Sequence, residues 1–345
     1  MTKKVYIKDT QIGGGSRILI QSMLNVATID TKTALSQISG LYDAGCDIIR
    51  LAVPDAESAE AIKTITENSP IPVVADIHFD YRLALTCIKN GVHKIRINPG
   101  NLGGKDRAEA VAKAAKAANI PIRIGVNGGS LEKGLLEKCN GDLAKAMVES
   151  AKGHIKILND CDFDDIVLSM KSSDVKTTIA AYRLASHEFD YPLHLGVTEA
   201  GTTKEGIVKS AIGIGSLLAD GIGDTIRVSL TDDPIREVEA AYTILKSLNL
   251  CNNCVNVVSC PTCGRTKINL IPIANAVYDA VQGVRKNIKV AVMGCVVNGP
   301  GEASDADIGI AGGDGCAVLF KKGEIVGKIP EDKIVETLIA EINKM

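Results

Sequence analysis

The chain has 345 residues, of which 46% are hydrophobic and 23% are charged, and its formal net charge is −2. Such a composition is typical of a globular protein with a large apolar core, and the near-neutral charge excludes a general attraction to nucleic acid or membrane surfaces. Tryptophan is absent and aromatic residues make up 3% of the chain, so few side chains can stack on bases.

The first ten residues are polar and charged, without the apolar segment of a secretory signal. No apolar run has the length of a membrane span. We therefore expect a cytoplasmic protein whose ten cysteines are reduced thiols, some of them bound to metal. Four scattered cysteines are expected to be small buried side chains: Cys46, Cys87, Cys139 and Cys161.

Short β-rich segments alternate with helical segments over the first 230 residues. The predicted strands are 17–23, 47–53, 72–78, 93–98, 121–127, 165–171, 192–199 and 225–230. Eight strand–helix units over about 250 residues predict a (β/α)8 TIM barrel, which we assign to residues 1–250. A doubly wound sheet is the alternative, but the glycine-rich phosphate fingerprint of that fold does not follow the first strand.

The remainder, residues 256–345, has the pattern of a small α/β domain. Apolar residues between Ile273 and Val284 share one helical face. Predicted strands follow at 289–293, 307–311, 317–320 and 325–329, and a closing helix covers 330–342.

Several barrel strands carry charged side chains on one face. In the strand at 93–98, Arg96 and Asn98 alternate with Ile95 and Ile97, so the polar pair faces the lumen if the apolar pair faces the helices. The same alternation places Asn127 and Ser229 inward, and Asp76 shares a face with His78. The predicted lumen holds five cations and two acids: Arg50, Arg96, Arg123, Lys171 and Arg227, with Asp76 and Glu199.

This excess of positive charge predicts an anionic ligand. Buried charges without partners are costly, and arginine grips phosphate oxygens with two parallel hydrogen bonds. Active sites of this fold lie at the C-terminal ends of the strands, where these side chains fall. His78 is at such a strand end and is a candidate proton donor, whereas His93, His154, His187 and His194 are expected to be structural.

The second segment carries a cysteine motif that is typical of an iron–sulfur site. Cys260 and Cys263 form a Cys-x-x-Cys pair, and Cys295 lies in a later glycine-rich turn that ends at Glu302. Cys251 and Cys254 form a second pair, which raises a zinc ribbon as an alternative. Only five residues separate the pairs, however, where zinc ribbons have well over about ten. Cys316 is a possible fourth ligand, but it opens a predicted strand and is expected to be buried.

At these residues the sequence resembles the 4-hydroxy-3-methylbut-2-enyl diphosphate synthases of the methylerythritol phosphate route, in their short bacterial form. The cysteine segments are SCPTCGR at 259–265 and MGCVVNGPGE at 293–302. The matching barrel segments are QSM at 21–23, VADIH at 74–78, RINPG at 96–100, RIGVN at 123–127, SMK at 169–171 and GVTEA at 196–200. Cys251, Cys254 and Cys316 are not part of that pattern.

The resemblance implies reductive ring opening of 2-C-methyl-D-erythritol 2,4-cyclodiphosphate, in isoprenoid biosynthesis, by an oxidoreductase with a 4Fe–4S cluster. Reduced flavodoxin or ferredoxin would supply two electrons, and a homodimer would join the barrel of one chain to the cluster domain of the other. The implied cluster ligands are Cys260, Cys263, Cys295 and Glu302. The implied catalytic residues are Glu199, Glu302, His78 and Asp76. The implied substrate-binding residues are Arg50, Arg96, Arg123, Asn127, Lys171, Thr198, Arg227, Ser229 and Asn298.

The residues by themselves leave two other functions open. A barrel lyase or aldolase acting on a sugar phosphate, with a structural metal, would use the lumen cations but no redox cluster. A non-catalytic iron–sulfur or zinc carrier would use the thiols but not the cations. Iron and sulfide content and affinity for the cyclic diphosphate distinguish these functions.

Overall fold

A computed structural model describes residues 1–252, 254–284, 286–297 and 305–345, and the chain divides into two compact units, Met1–Leu250 and Cys251–Met345. Two predicted site residues, Asn298 and Glu302, lie outside the described residues. None of the described helices is both long enough and apolar enough to cross a membrane.

The first unit contains an eight-stranded parallel barrel preceded by an antiparallel hairpin, as its described residues show. The barrel strands follow the order β8-β7-β6-β5-β4-β3-β10-β9, and a parallel bridge between Leu168 and Leu193 joins the two ends of the sheet. The strands are β1 (Lys4–Ile7), β2 (Thr10–Gly13), β3 (Leu19–Met23), β4 (Ile48–Ala52), β5 (Val73–Asp76), β6 (Lys94–Ile97), β7 (Ile122–Asn127), β8 (Ile166–Lys171), β9 (His194–Leu195) and β10 (Thr225–Ile226).

Helices follow the barrel strands, and aspartates fix the beginnings of six of those described. The Asp30, Asp55, Asp142 and Asp174 carboxylates each accept the N–H three residues later, and Asp80 and Asp233 accept the N–H two residues later. These caps define where each strand-to-helix loop stops. The helices are α1 (Thr31–Asp43), α2 (Ala56–Asn68), α3 (Tyr81–Lys89), α4 (Lys105–Ala118), α5 (Leu135–Lys138), α6 (Leu143–Asn159), α7 (Val175–Glu188), α8 (Thr203–Ala219) and α9 (Pro234–Ser247).

The β1–β2 hairpin closes the N-terminal end of the barrel. Its apolar side chains pack against the first inward residues of several strands, because only the lumen offers them a dry surface. We call this cluster the barrel floor: Val5, Ile7, Ile12, Leu19, Ile48, Val74 and Val167. The barrel prediction is confirmed, but the sequence analysis did not predict the hairpin.

The second unit is a five-stranded mixed sheet with two helices, α10 (Leu270–Ala280) and α11 (Ile334–Lys344), among its described residues. The helices pack against the sheet through an apolar core that includes Val277, Val290 and Leu338. The strands β11 to β13 are parallel, and β14 and β15 continue the sheet in antiparallel fashion. These strands are β11 (Val255–Ser259), β12 (Ile288–Met293), β13 (Ile308–Gly313), β14 (Cys316–Lys321) and β15 (Glu324–Pro330).

The cysteines differ from expectation in three ways. Cys251 and Cys254 form a disulfide, so the prediction that all ten are reduced thiols is wrong for this pair, whose Cα atoms lie 6.1 Å apart. Cys316 opens β14 as predicted, but it is half-buried and not buried. Cys46 and Cys87 are buried as expected, and burial raises the pKa of their thiols to about 12. Cys139 and Cys161 are half-buried instead, because they lie at helix ends where no strand or core covers them fully.

Candidate active site

The barrel strands bring together the cations that the sequence placed in the lumen. Asp76, at the end of β5, lies between two of them: its carboxylate accepts a hydrogen bond from Arg96 Nη1 at 3.0 Å and lies 3.7 Å from Arg50 Nε. His78 Nε2 is 3.4 Å from the same carboxylate. Burial by itself would raise the pKa of Asp76, but the charge of Arg50, the hydrogen bond with His78 and the charge of Arg96 hold it well below its usual range. Asp76 is therefore a fixed negative charge.

Arg123 and Lys171 are two further buried cations of the barrel. Arg123 is 1% exposed and donates from Nη1 to Gln21 Oε1 at 3.1 Å. Lys171 Nζ lies 3.3 Å from His194 Nε2, and the other ring nitrogen of His194 is 2.7 Å from Thr225 Oγ1. Burial, then the neighbouring charges, chiefly Arg123 and Arg50, lowers the pKa of Lys171 well below its usual value. An anion entering the lumen would reverse that shift.

Arg227 has an acidic partner that the sequence analysis missed. Glu237, at the start of α9, forms an ion pair with Arg227 Nη2 at 3.2 Å and also accepts hydrogen bonds from Ser22 Oγ and the Leu230 N–H. Glu199, which was predicted to oppose the cations, is exposed. Glu237 shares the apolar face of α9 with Val238 and Ala241. An acid on a core-facing helix surface was the signal that could have revealed it.

Two glycines on barrel strands make room for these long side chains. A Cβ on Gly125 would lie 2.6 Å from Arg96 Nε, and a Cβ on Gly196 would lie 2.7 Å from Lys171 Nζ. Real Cβ atoms do not approach so closely, so any side chain at these positions would displace the cations.

The other predicted ligand contacts lie at the rim. Asn127, Thr198 and Ser229 are half-buried at or just beyond the ends of their strands. His78 is 51% exposed in its side chain. Glu199 has a φ of +53°, a left-handed conformation that is uncommon for a residue with a side chain and that often marks a functional loop.

Positive charge exceeds negative charge in the lumen even after these pairs are counted. Among the described residues, Asp76 and Glu237 are the buried acids. We call the following group the mouth cluster: Arg50, Asp76, Arg96, Arg123, Lys171, Arg227 and Glu237. Five cations facing two acids can hold a diphosphate or another polyanion through charge-assisted hydrogen bonds.

In the second unit, the cysteine motif falls at the C-terminal ends of two neighbouring parallel strands. Cys260 follows β11 directly, and Cys295 lies two residues after β12, whose Val292 pairs with Ser259. The Gly294 N–H donates to Cys260 Sγ at 3.2 Å, and the Gly294 carbonyl accepts from the Lys267 N–H at 2.8 Å. The loop that carries the Cys-x-x-Cys pair is thereby attached to the turn that carries Cys295.

The donor chemistry of this edge fits an iron–sulfur cluster. Cys263 is exposed, and hydrogen bonds from the Arg265 backbone and then its side chain lower the pKa of its thiol, which favours thiolate. The N–H bond to Cys260 Sγ is of the kind that tunes such clusters. Within the described residues, no three His, Cys, Asp or Glu side chains are already gathered into a metal-binding group, and Glu302 is not among those residues. Because Cys251 and Cys254 are joined to each other, they do not form a four-cysteine zinc site with Cys260 and Cys263.

Comparison with known proteins gives full-length matches. The GcpE TIM-barrel domain matches residues 2–242, and the GcpE protein C-terminal domain matches residues 256–344. A protein of Ruminiclostridium cellulolyticum named 4-hydroxy-3-methylbut-2-en-1-yl diphosphate synthase (flavodoxin) is 59% identical over 100% of this chain and 98% of its own length. A protein of Geobacter sulfurreducens with the same name is 54% identical over 100% of this chain and 98% of its own length.

Two solved structures each match about 72% of this chain. The Yersinia pestis dihydropteroate synthase superposes with a TM-score of 0.51 and 15% identity, over 72% of this chain and 100% of that one. The N-acetylneuraminic acid synthetase of Leptospira borgpetersenii also superposes with a TM-score of 0.51, at 14% identity, over 72% of this chain and 90% of that one. At such low identity these matches support the barrel fold and nothing about the reaction.

Proposed function

Because this chain belongs to the GcpE family, we propose that it converts 2-C-methyl-D-erythritol 2,4-cyclodiphosphate into 4-hydroxy-3-methylbut-2-enyl diphosphate by two-electron reductive ring opening, a step of isoprenoid biosynthesis. The shared name of the relatives supports the product and a flavodoxin as the electron donor. The mouth cluster is the observation in this chain that carries the proposal. Its unbalanced cations, carried on several barrel strands, suit a diphosphate.

The mouth cluster binds and orients the substrate. Arg96 and Arg50 are held by Asp76, and Arg227 is held by Glu237, so these guanidinium groups lose little side-chain freedom when the ligand binds. Arg123 and Lys171 have no acidic ion-pair partner among the described residues and present the strongest uncompensated charge. The rim residues Asn127, Thr198, Ser229 and, from the sequence, Asn298 contact the remaining oxygens.

Proton delivery to the departing hydroxyl belongs to Glu199 and His78. Glu199 is the first candidate because it is exposed on the loop that follows β9, in a constrained backbone conformation. His78 can relay a proton from solvent, since one ring nitrogen faces the Asp76 carboxylate while half of its side chain is exposed. Asp76 itself stays ionised and orients the imidazole.

The second unit, in this proposal, holds a 4Fe–4S cluster on Cys260, Cys263, Cys295 and Glu302. When bound, such a cluster would pass the two electrons of the reduction from the reduced flavodoxin to the substrate one at a time. Three ligands are thiolates and the fourth is a carboxylate, which is a harder and more exchangeable donor to iron. We assign residues 1–250 to substrate binding and residues 256–345 to the cluster, in a cytoplasmic enzyme.

Anaerobic analysis of the purified chain tests the proposal directly. We expect bound iron and sulfide, a paramagnetic signal on reduction, and conversion of the cyclic diphosphate to the allylic diphosphate with reduced flavodoxin. Arg123→Ala should weaken substrate binding by on the order of 2 kcal/mol with iron content unchanged. Arg183→Ala, which removes an exposed arginine on α7, is the matched control. A colourless, iron-free protein that leaves the substrate intact contradicts the proposal.

We further propose a homodimer in which the barrel of one chain and the cluster unit of the other form each site. Mixing an Arg123→Ala chain with a Cys295→Ser chain tests this arrangement at substrate concentrations far below saturation, where each variant alone has little activity. Random reassortment should restore about a quarter of the wild-type activity if the halves come from different chains. If both halves come from one chain, the mixture stays inactive.

A further inference from the structure

Lys94 is a buried cation between the mouth cluster and the barrel floor. It lies on β6 two residues before Arg96 and therefore on the same face of the strand, and its strand-pairing partner is Val74 of the floor. Its side chain is 0% exposed. Burial, then the charges of Arg123 and Arg50, lowers the pKa of Lys94 well below its usual value.

Three buried donor groups of the barrel strands have no hydrogen-bond partner among the described residues: Lys94 Nζ, Gln21 Nε2 and Arg123 Nε. Gln21 and Arg123 are adjacent, because Gln21 Oε1 accepts from Arg123 Nη1. That bond uses the acceptor of the amide and leaves its N–H groups free. Each of the three residues is 0–1% exposed, so bulk solvent does not satisfy them.

The chemistry of these groups favours an anion over a water molecule. A buried water needs acceptors for its own hydrogens, but an amide N–H, a guanidinium N–H and an ammonium offer only donors. If Lys94 were an uncharged amine, its single lone pair could accept one hydrogen of a water, and the second hydrogen would still lack an acceptor. An anion accepts from all three groups, and its charge stabilises the protonated form of Lys94 against the repulsion of Arg123.

We propose that Gln21, Lys94 and Arg123 bind a small monovalent inorganic anion of the halide class just above the barrel floor. A phosphate is excluded because its remaining oxygens would face apolar side chains such as Leu19 and Val74. The anion offsets part of the excess charge of the mouth cluster. The site shares Arg123 with the mouth cluster, but anion binding there requires neither substrate nor reduction and is therefore tested separately from the reaction proposed above.

Bromide is the probe, because its anomalous scattering distinguishes it from water. Crystals of the intact protein with its cluster are grown without halide and soaked in sodium bromide, without substrate. We expect an anomalous peak within hydrogen-bonding distance of Lys94 Nζ and Gln21 Nε2. Bromide peaks confined to the protein surface, with none above the floor, overturn the proposal.

Thermal unfolding in solution provides the second measurement, at constant ionic strength in sodium bromide or sodium gluconate. Bromide at ten times its dissociation constant should raise the folded-to-unfolded ratio about elevenfold. Lys94→Met, which keeps the length of the side chain and removes its charge, should abolish both this stabilisation and the anomalous peak. Lys89→Met, an exposed position on α3, should keep both. Equal bromide stabilisation in all three proteins, or a peak that persists in Lys94→Met, contradicts the assignment.

Discussion

The two units of this protein place their polar groups in opposite ways. Among the described residues, every buried polar or charged side chain lies in the first unit, from Gln21 to Glu237. The core of the second unit is apolar, and its cysteine motif lies on loops at one edge of the sheet. A closed barrel can surround charges with partners on all sides, whereas a sheet covered by two helices offers reactive groups only at its strand ends.

This difference predicts how each unit responds to substitution. In the barrel, the functional charges are also structural, because most of them are buried and Arg50, Arg96 and Arg227 are ion-paired. In the second unit, the thiols of the motif lie on loops beyond the strand ends, and Cys260 packs against the edge of the apolar core. Loss of a barrel charge should therefore affect folding and binding together, whereas loss of a thiol should chiefly affect metal content and the turnover that depends on it.

The largest effect is expected for Cys295→Ser. The variant should lose its iron and all turnover, since hydroxyl is a poor replacement for a thiolate ligand. The barrel should bind inorganic pyrophosphate as the wild type does. Iron analysis and calorimetric titration measure the two properties in the same preparation. Impaired pyrophosphate binding would show that the barrel and the thiols are not separable in this way.

A large stability effect is expected for Arg227→Ala, which leaves Glu237 buried without its cation. The free energy of unfolding should fall by about 3–5 kcal/mol, as for other broken buried pairs. Arg227→Ala combined with Glu237→Gln should recover part of that loss, because the unpaired charge is gone. Urea unfolding measures the free energy of unfolding of the single and the double variant. The exposed pair of Arg183 and Asp220 is the control, and Arg183→Ala should cost less than about 1 kcal/mol. Equal losses at the two sites would contradict the structural role of Glu237.

A smaller effect is expected for Gly196→Ala, whose added methyl group meets Lys171 Nζ and the Arg227 carbonyl. Overpacking of this kind costs about 1–3 kcal/mol of stability and should weaken pyrophosphate binding as Lys171 moves. Gly215→Ala on α8 is the matched control, because no atom lies within 4 Å of its added Cβ. It should stabilise the protein by about 0.5–1 kcal/mol. Unchanged binding in Gly196→Ala would show that Lys171 does not contact the anion.

No effect on iron content or turnover is expected for Cys251→Ser combined with Cys254→Ser. The two cysteines are joined to each other and precede β11, whereas Cys260 follows β11 at its other end. Iron content and activity are measured for the wild type and the double variant, before and after treatment with a dithiol reductant. Loss of iron in the double variant would mean that the cluster ligands are wrongly assigned.

The sequence predicted the features that depend on strand periodicity. Alternation along β6 and β7 placed Arg96 and Arg123 in the lumen, because an outward arginine would have been buried among helices. The same alternation includes Lys94, but a cation at the N-terminal end of β6 had no role in a ligand site at the C-terminal ends of the strands. Glu237 was missed because it reaches the lumen from a helix, so no strand pattern contains it. Its contact with Ser22, 215 residues away, exists only in the closed barrel.

Other features could not be predicted because they depend on what covers a segment. The β1–β2 hairpin is four residues on each side, and its apolar residues form a strand pair only because the barrel floor receives them. β11 was missed for a related reason: its central residues are half-buried, so its pattern is that of an ordinary connecting segment. The ligand role of Glu302 and the site role of Asn298 stay predictions from the sequence.

The hairpin at the barrel floor also has a kinetic consequence. Because the described residues seal the N-terminal end of the lumen, exchange with solvent there is one-ended. A diphosphate bound at the mouth, as proposed above, would therefore lie between solvent and any small solute below it and would delay the exit of that solute. In that arrangement the diphosphate has to leave first, and the interior exchanges with solvent afterwards.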